Sequence, residues 1–270
     1  MKYETRSADG TRWLDSGAGP VVIPLHGLLG DTGNWLSLME CLSPRCRVAI
    51  PELPWYSLPR EDATIDAVVR FVHAFVDQLD VDGVHLIGSS LGGHIALLYA
   101  RAHSQRVRTR TLTGSSGLRE RPVMAGSILR SGTPVRRDDY ELIKNRAETT
   151  FYDPLAVTPE MVHDAYELFN NETKLVSLVS MTKSAMRRAM DHELPLVTQP
   201  TCLIWGKNDV ITPDDVAEDF HRLLPDSDLF WIDKCGHAPM LEHPNTFNEI
   251  LAGWHEQRGV IPAADGGSRL

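Results

Sequence analysis

The stretch most suited to chemistry is GSSLGG at residues 88–93, which directly follows an apolar run. A serine hydroxyl is a weak nucleophile at neutral pH and attacks a carbonyl carbon only when its surroundings activate it. Of the two adjacent serines, only Ser90 lies at the centre of a Gly-x-Ser-x-Gly pattern, which Gly88 and Gly92 complete. The pattern therefore indicates Ser90 as the candidate nucleophile and Ser89 as its neighbour.

The glycines of this stretch have other interpretations, which the neighbouring residues test. A phosphate-binding loop needs Lys followed by Ser or Thr after its last glycine, where this chain has His94 and Ile95. A dinucleotide-binding fingerprint needs Gly-x-Gly-x-x-Gly, which the segment lacks. A glycine-rich turn without chemistry remains open until the rest of the chain is considered.

A catalytic serine needs a histidine that takes its proton and a carboxylate that orients and stabilises the resulting imidazolium. Where a serine sits on a strand-to-helix turn, the partners follow in the order acid and then histidine, each just after a later strand. Asp209 follows the apolar run 201–205, and His237 follows the run 228–232. The order and the positions predict a triad of Ser90, Asp209 and His237.

Other acids and histidines near these positions fit structural roles better. Asp214 and Asp215 follow a proline, where carboxylates favour the start of a helix. Asp233 lies too close in sequence to His237 and on the wrong side of the strand end to be the preferred acid. His243 precedes a proline and is interpreted as a structural or capping group.

The negative oxygen that forms during acyl transfer must be held by N–H donors beside the nucleophile. One donor is expected from Leu91, the residue after the nucleophile, and another from the loop after an early strand. The segment VVIPLHGLLG provides that loop, in which Leu28 follows Gly27 and His26 shapes the turn. We therefore predict an oxyanion hole formed by the backbone N–H groups of Leu28 and Leu91.

The elements that position these residues follow from the hydrophobic pattern. Six short apolar runs lack polar alternation, which is typical of strands covered on both faces. The runs are Val21–Leu25, Arg47–Ile50, Val84–Ile87, Val107–Leu112, Thr201–Trp205 and Asp228–Ile232. Helical periodicity lies between them at 64–80, Leu91–Arg101, Pro213–Leu224 and Pro244–Trp254. The alternation predicts an α/β fold, with a mostly parallel central sheet and helices on both faces.

One long gap interrupts this alternation. Between Thr113 and Thr201 lie roughly ninety residues without a strand pattern, far more than a crossover between parallel strands requires. Helical patterns occur there at 138–151, 159–171 and 173–191. We predict a core domain of residues 1–117 and 197–270, interrupted by a helical insertion of residues 118–196.

The composition limits the partners of the protein. The chain has 270 residues, 42% of them hydrophobic, and a formal net charge of −9. Phosphate contacts need a concentrated basic face, so nucleic acid is not an expected partner. The first residues, MKYETRSADG, lack the apolar core of a signal peptide, and no apolar run reaches the roughly 18 residues of a membrane span. We expect a cytoplasmic protein that binds a small-molecule substrate and no membrane.

The cysteines form neither a disulfide framework nor a zinc pattern. The four are Cys41, Cys46, Cys202 and Cys235, and none is part of a CxxC pair. We interpret them as reduced thiols and expect neither a metal nor a cofactor. The sequence leaves a homodimer open.

With these motifs in place, the chain resembles the α/β-hydrolase superfamily from about Val21 to Trp254. The matching segments are His26–Gly27, the turn Gly88–Gly93, WGKND with Asp209, and CGHAPMLEHP with His237. The resemblance implies an α/β-hydrolase fold whose insertion follows the sixth strand and forms a helical cap over the active site. Within the superfamily the chain is most similar to small carboxylesterases and to meta-cleavage product hydrolases, which cut carbon–carbon bonds in ring-fission products.

Several positions depart from the pattern of the carbon–carbon hydrolases. Those enzymes usually carry Asn before the nucleophile and Trp after the catalytic histidine, where this chain has Ser89 and Ala238. Their cap also supplies an arginine for the keto-acid end of the substrate, and the corresponding position, near Ala165, is not basic. Four other arginines could replace it: Arg119, Arg121, Arg187 and Arg188.

These departures favour a serine hydrolase that cleaves carboxylic esters through an acyl-enzyme on Ser90. Five methionines in the expected cap could line an adaptable apolar pocket, so we expect small, largely apolar substrates; the five are Met124, Met161, Met181, Met186 and Met190. Two alternatives stay open. The same triad serves hydrolysis of a carbon–carbon bond in a 2-hydroxy-6-oxo-dienoate of meta-cleavage type. A ligand receptor with little turnover could also be built on a hydrolase fold, although the complete triad argues against it.

Overall fold

The computed structural model describes residues 3–118 and 139–262 and contains one sheet of eight strands in the order β1-β2-β4-β3-β5-β6-β7-β8. The strands are β1 Glu4–Ala8, β2 Thr11–Ser16, β3 Val21–Leu25, β4 Arg47–Pro51, β5 Val84–Ser89, β6 Val107–Thr113, β7 Thr201–Gly206 and β8 Ser227–Ile232. The pairs β1–β2 and β2–β4 are antiparallel, and all the other pairs are parallel. The predicted α/β fold with a mostly parallel sheet is therefore confirmed.

The described helices flank this sheet and fill the segment between β6 and β7. They are α1 Leu36–Leu42, α2 Ile65–Gln78, α3 Leu91–Ala102, α4 Tyr140–Glu148, α5 Pro159–Asn170, α6 Glu172–Arg187, α7 Asp214–Leu223, α8 Pro239–Glu242 and α9 Pro244–Gln257. Helices α4, α5 and α6 occur where the sequence predicted a helical insertion. Its exact limits stay a prediction, because residues 119–138 lie outside the described residues.

Two apolar layers form because each face of the sheet is covered by helices. Helices α2, α3 and α7 pack on one face through residues such as Val72, Leu97 and Phe220. Helices α1 and α9 pack on the other face through residues such as Leu38 and Leu251. Strands β3, β5 and β7 between these layers are buried along their whole length, which explains their continuous apolar sequences.

The N-terminal hairpin was not predicted from the sequence. All five residues of β1 are exposed, and β2 buries only alternate residues, so neither strand has a continuous apolar run. The two strands are joined by Asp9 and Gly10, both with positive φ, as a tight hairpin turn requires. Within the two described ranges, each helix is too short or too polar to span a bilayer.

Two buried histidines lie under the sheet face that α1 and α9 cover. His85 of β5 bonds Thr109 of β6 through Nδ1 at 2.9 Å, and its ring centroid is 5.8 Å from that of His255 in α9. Burial and the nearby Arg108 lower the pKa of His85 to about 4. Burial, His85 and Arg45 lower the pKa of His255 to about 3. Both rings are therefore neutral at neutral pH.

These histidines should make the fold sensitive to acid. In the unfolded chain they take up protons below about pH 6.5, whereas in the folded protein they do so only near pH 4 and pH 3. Stability should therefore fall as the pH drops from 7 to 5. We expect His255→Gln, which cannot be protonated, to reduce this loss of unfolding free energy by about 1–2 kcal/mol in urea titrations. His163→Gln, at an exposed position of α5, is the control; equal pH slopes for both variants would contradict the assignment.

Candidate active site

Ser90 lies on the sharp turn between β5 and α3. Its backbone has φ 54° and ψ −118°, a conformation that residues with a side chain seldom adopt. Its N–H donates to the carbonyl of Thr113 at the end of β6 (3.0 Å), and its carbonyl accepts from the N–H of Gly93 (3.1 Å). These bonds hold the strained turn in place, with the side chain at the carboxyl edge of the sheet.

The glycines around Ser90 are required by close approaches of the main chain. A Cβ on Gly88 would lie 2.6 Å from the carbonyl oxygen of Gly92. A Cβ on Gly92 would collide with the carbonyl of Leu25 and lie 2.7 Å from that of His26. Strand β3, strand β5 and helix α3 can therefore meet only where these side chains are absent.

The two other members of the predicted triad are joined directly. Asp209 follows β7 and His237 follows β8, and Asp209 Oδ2 lies 2.8 Å from His237 Nδ1. The second oxygen of Asp209 accepts the N–H groups of Ile211 (2.8 Å) and Thr212 (2.9 Å), while the Thr212 hydroxyl donates to Oδ2 (2.7 Å). Asp209 is only 4% exposed, and these bonds fix the orientation of its carboxylate.

The surroundings keep this carboxylate ionised. Burial raises the pKa of Asp209, but the charge and hydrogen bond of His237, with the bonds from Thr212, outweigh it and hold the pKa below its usual value. An ionised Asp209 can only accept a hydrogen bond from His237, so the proton of the neutral imidazole lies on Nδ1. Nε2 is then left with its lone pair, as a general base requires.

Ser90 and His237 both lie close to the end of β6. A Cβ on Gly114 would lie 2.7 Å from Cε1 and 2.8 Å from Nδ1 of His237. Gly114 directly follows Thr113, whose carbonyl accepts the N–H of Ser90. In the described part of the chain no hydrogen bond joins the Ser90 hydroxyl to His237, and such bonds often tighten only when substrate is present.

The predicted oxyanion loop also lies against Ser90. A Cβ on Gly27 would be 3.2 Å from Cβ of Ser90, so the following residue, Leu28, lies beside the nucleophile. Leu91 is the first residue of α3, where backbone N–H groups have no partner within the helix. Both predicted donors therefore belong to segments next to Ser90, and their binding of an oxyanion stays a prediction.

The segment PELPWYSLPR, whose path the sequence did not reveal, holds the oxyanion loop in place. The N–H of Leu53 donates to Nε2 of His26 (3.2 Å), while Nδ1 of His26 lies 3.2 Å from the indole nitrogen of Trp55 and 3.0 Å from the carbonyl of Gly27. The Tyr56 hydroxyl donates to the carbonyl of Leu28. These contacts were not predicted because they join segments that are distant in sequence.

The structure also places most of the other residues that the sequence analysis considered, among them two of the candidate arginines. Asp233 pairs with Lys207 at 2.7 Å and is exposed. His243 bonds the carbonyl of Lys234 at 2.9 Å. Arg187 is exposed, and Arg188 pairs with Asp66 and Glu193; Arg119 and Arg121 lie outside the described residues. Among the described residues, no three His, Cys, Asp or Glu side chains are grouped as metal ligands.

Thr212 and Glu242 are site residues that the sequence reasoning missed. Thr212 lies three residues after Asp209, a spacing at which a carboxylate can accept the N–H of its own turn, so a local signal existed. Glu242 accepts the N–H groups of Gly236 and Ala238 on either side of His237. No local signal distinguishes that carboxylate from an ordinary helix residue.

The chain belongs to the α/β-hydrolase fold family, whose pattern matches residues 20–244. It is 36% identical to MGS-MChE2, an α/β hydrolase from the metagenome of sediments of the Mar Chica lagoon, Morocco, with a TM-score of 0.78 and coverage of 95% of this chain and 99% of the other. The protein is thus a hydrolase of the α/β type.

Two curated relatives have different activities. The 2-hydroxy-6-oxo-6-(2'-aminophenyl)hexa-2,4-dienoic acid hydrolase of Metapseudomonas resinovorans is 27% identical, over 94% of this chain and 90% of its own. The pimeloyl-[acyl-carrier protein] methyl ester esterase of Nitrosomonas europaea is 28% identical, over 86% of this chain and 94% of its own. Further dienoate hydrolases are found among the curated relatives of this chain.

The crowding at Gly92 predicts a large effect of one methyl group. Because the main-chain oxygens of Leu25 and His26 occupy the space of a Cβ, Gly92→Ala should lower the free energy of unfolding by about 3 kcal/mol or more in urea titrations. Gly253→Ala in α9 is the matched control. It has no atom within 4 Å of the added Cβ, so it should raise stability by about 0.5–1 kcal/mol. Equal effects of both substitutions would contradict the explanation.

Proposed function

We propose that the protein is a serine hydrolase that cleaves carboxylic esters of small, largely apolar substrates. The observation that carries the proposal is the buried 2.8 Å bond between Asp209 and His237, at the sheet edge where Ser90 occupies a strained turn. In the proposed reaction, Ser90 attacks the ester carbonyl and His237 takes its proton and returns it to the leaving group. Asp209 orients His237 and stabilises the imidazolium, and the N–H groups of Leu28 and Leu91 hold the oxyanion. Water then cleaves the acyl-enzyme.

Apolar contacts of the insertion support the choice of an apolar substrate. Ile143, Phe169 and Leu178 of the insertion form an apolar cluster that packs against Leu28 of the predicted oxyanion loop and against Tyr56, which bonds that loop. We propose that the insertion acts as a cap, because this cluster lies directly on the loop that would bind the reacting carbonyl. A pocket between these elements would favour apolar acyl or leaving groups.

Carbon–carbon cleavage is the second candidate, and the dienoate hydrolases among the relatives favour it. Ser90, Asp209 and His237 would serve this reaction equally. Two residues favour esters: Ser89, directly before Ser90, and Ala238, directly after His237. The placement of the described arginines, Arg187 and Arg188, also favours esters. Arg188 is committed to carboxylates of the protein, so it is unsuited to bind the acid group of a dienoate.

The bond that is cleaved can be identified by parallel assays of the purified protein. We expect turnover of short- and medium-chain nitrophenyl esters and little bleaching of a coloured ring-fission dienoate. A much higher kcat/KM for the dienoate would overturn the ester assignment in favour of carbon–carbon cleavage. A stoichiometric burst without further product from either substrate would favour a receptor with little turnover.

The triad can be tested independently of the substrate. Ser90→Ala should remove nearly all turnover, because it removes the hydroxyl that attacks the carbonyl carbon. Asp209→Asn should lower kcat on the order of 10⁴-fold, since an amide cannot hold the same tautomer of His237. Asp233→Asn is the matched control, because that exposed carboxylate pairs with Lys207, and it should keep wild-type kcat. Esterase activity in a folded Ser90→Ala protein would refute the assignment of the nucleophile.

A further inference from the structure

Glu242, the last residue of α8, binds both sides of the loop that carries His237. Its Oε1 accepts the N–H of Gly236 at 2.9 Å and the N–H of Ala238 at 3.3 Å. These two N–H groups belong to the residues directly before and after His237. One carboxylate oxygen therefore fixes the main chain from which the imidazole projects.

The other oxygen of the same carboxylate binds the insertion. Glu242 Oε2 accepts the N–H of Tyr152 at 2.7 Å, just beyond the C-terminal end of α4. Nearby, the N–H of His237 itself donates to the carbonyl of Thr150 at 2.8 Å. The loop of His237 and residues 150–152 are thus joined by bonds in both directions.

The two segments are also in close steric contact. A Cβ on Gly236 would lie 2.7 Å from the carbonyl oxygen of Thr150 and 2.8 Å from the nitrogen of Tyr152. Phe151 between them packs against the apolar layer that α1 and α9 cover. Residues 150–152 are therefore held against the core domain, although they belong to the insertion.

We propose that Glu242 is a positioning residue that makes the placement of His237 depend on the placement of the insertion. This inference rests on the proposed function, since it assumes that His237 is the general base. Glu242 is separated from the reacting atoms and acts through the main chain on either side of His237. On this proposal, the insertion helps to set the geometry of the triad as well as enclosing the substrate.

A carboxylate is suited to this role because both of its oxygens accept hydrogen bonds and neither donates. Glutamine has nearly the same shape but carries an NH₂ group in place of one oxygen. In Glu242→Gln the single amide oxygen can accept either the N–H groups of Gly236 and Ala238 or the N–H of Tyr152. The NH₂ group then faces the remaining N–H donor, with which it cannot form a hydrogen bond. The substitution therefore breaks one link and leaves the size of the side chain unchanged.

The test compares Glu242→Gln with Glu193→Gln as a matched control. Glu193 belongs to a different contact between the insertion and the core domain, where it pairs with Arg101 and Arg188. We would measure kcat and KM with a nitrophenyl ester, the rate at which a fluorophosphonate labels the active serine, and the thermal midpoint. Glu242→Gln should lower kcat and the labelling rate about 10- to 100-fold, because displacements of about 1 Å have effects of this size. KM should stay within about twofold of wild type, and Glu193→Gln should keep wild-type kcat.

Several outcomes would overturn the inference. Wild-type kcat in folded Glu242→Gln would do so. If Glu242→Gln does not fold, Glu242→Asp decides, because its shorter carboxylate cannot reach both partners; a reduced kcat supports the inference and a wild-type kcat overturns it. Ser90→Ala is assayed in parallel: if it stays active, the proposed function fails, whereas an inactive Ser90→Ala with a fully active Glu242→Gln removes only this inference.

Discussion

The strained backbone of Ser90 is the constraint on which the rest of the structure depends. A residue with a side chain held at such angles costs on the order of 1–3 kcal/mol, so its surroundings must over-determine it. The end of β6 accepts its N–H, and main-chain atoms of β3 and α3 lie so close that only glycine fits beside it. Three strands and a helix are thus arranged around one residue, whose hydroxyl is presented at the carboxyl edge of a parallel sheet.

The charge of Asp209 is the second constraint on the site. The carboxylate of Asp209 is buried, yet it stays ionised because its own turn supplies N–H donors and His237 supplies a partner. An anion in a buried, low-dielectric position holds an adjacent imidazole strongly and fixes its tautomer. Asp209 and His237 come from loops after two neighbouring strands, β7 and β8, so the sheet itself brings them together.

The sequence was sufficient to predict the parts of the fold that have a periodic or spacing signal. The strands that are buried on both faces appear as continuous apolar runs, and the order of Ser90, Asp209 and His237 follows from the topology. Strand β1 has no such signal, because every one of its residues is exposed. The contacts of Tyr56 and Glu242 could not be predicted either, because each joins segments that are far apart in the chain and meet only in the folded protein.

The exposed strand β1 also bears on how two copies of the protein could associate. An edge strand offers unpaired main-chain groups to which a second molecule can add a strand, and charged side chains on that edge discourage such pairing. Strand β1 is short and carries Glu4 and Arg6, which form an ion pair with each other at 2.9 Å. A continuous sheet running through two copies is therefore disfavoured at this edge, and a homodimer would have to use another surface of the protein.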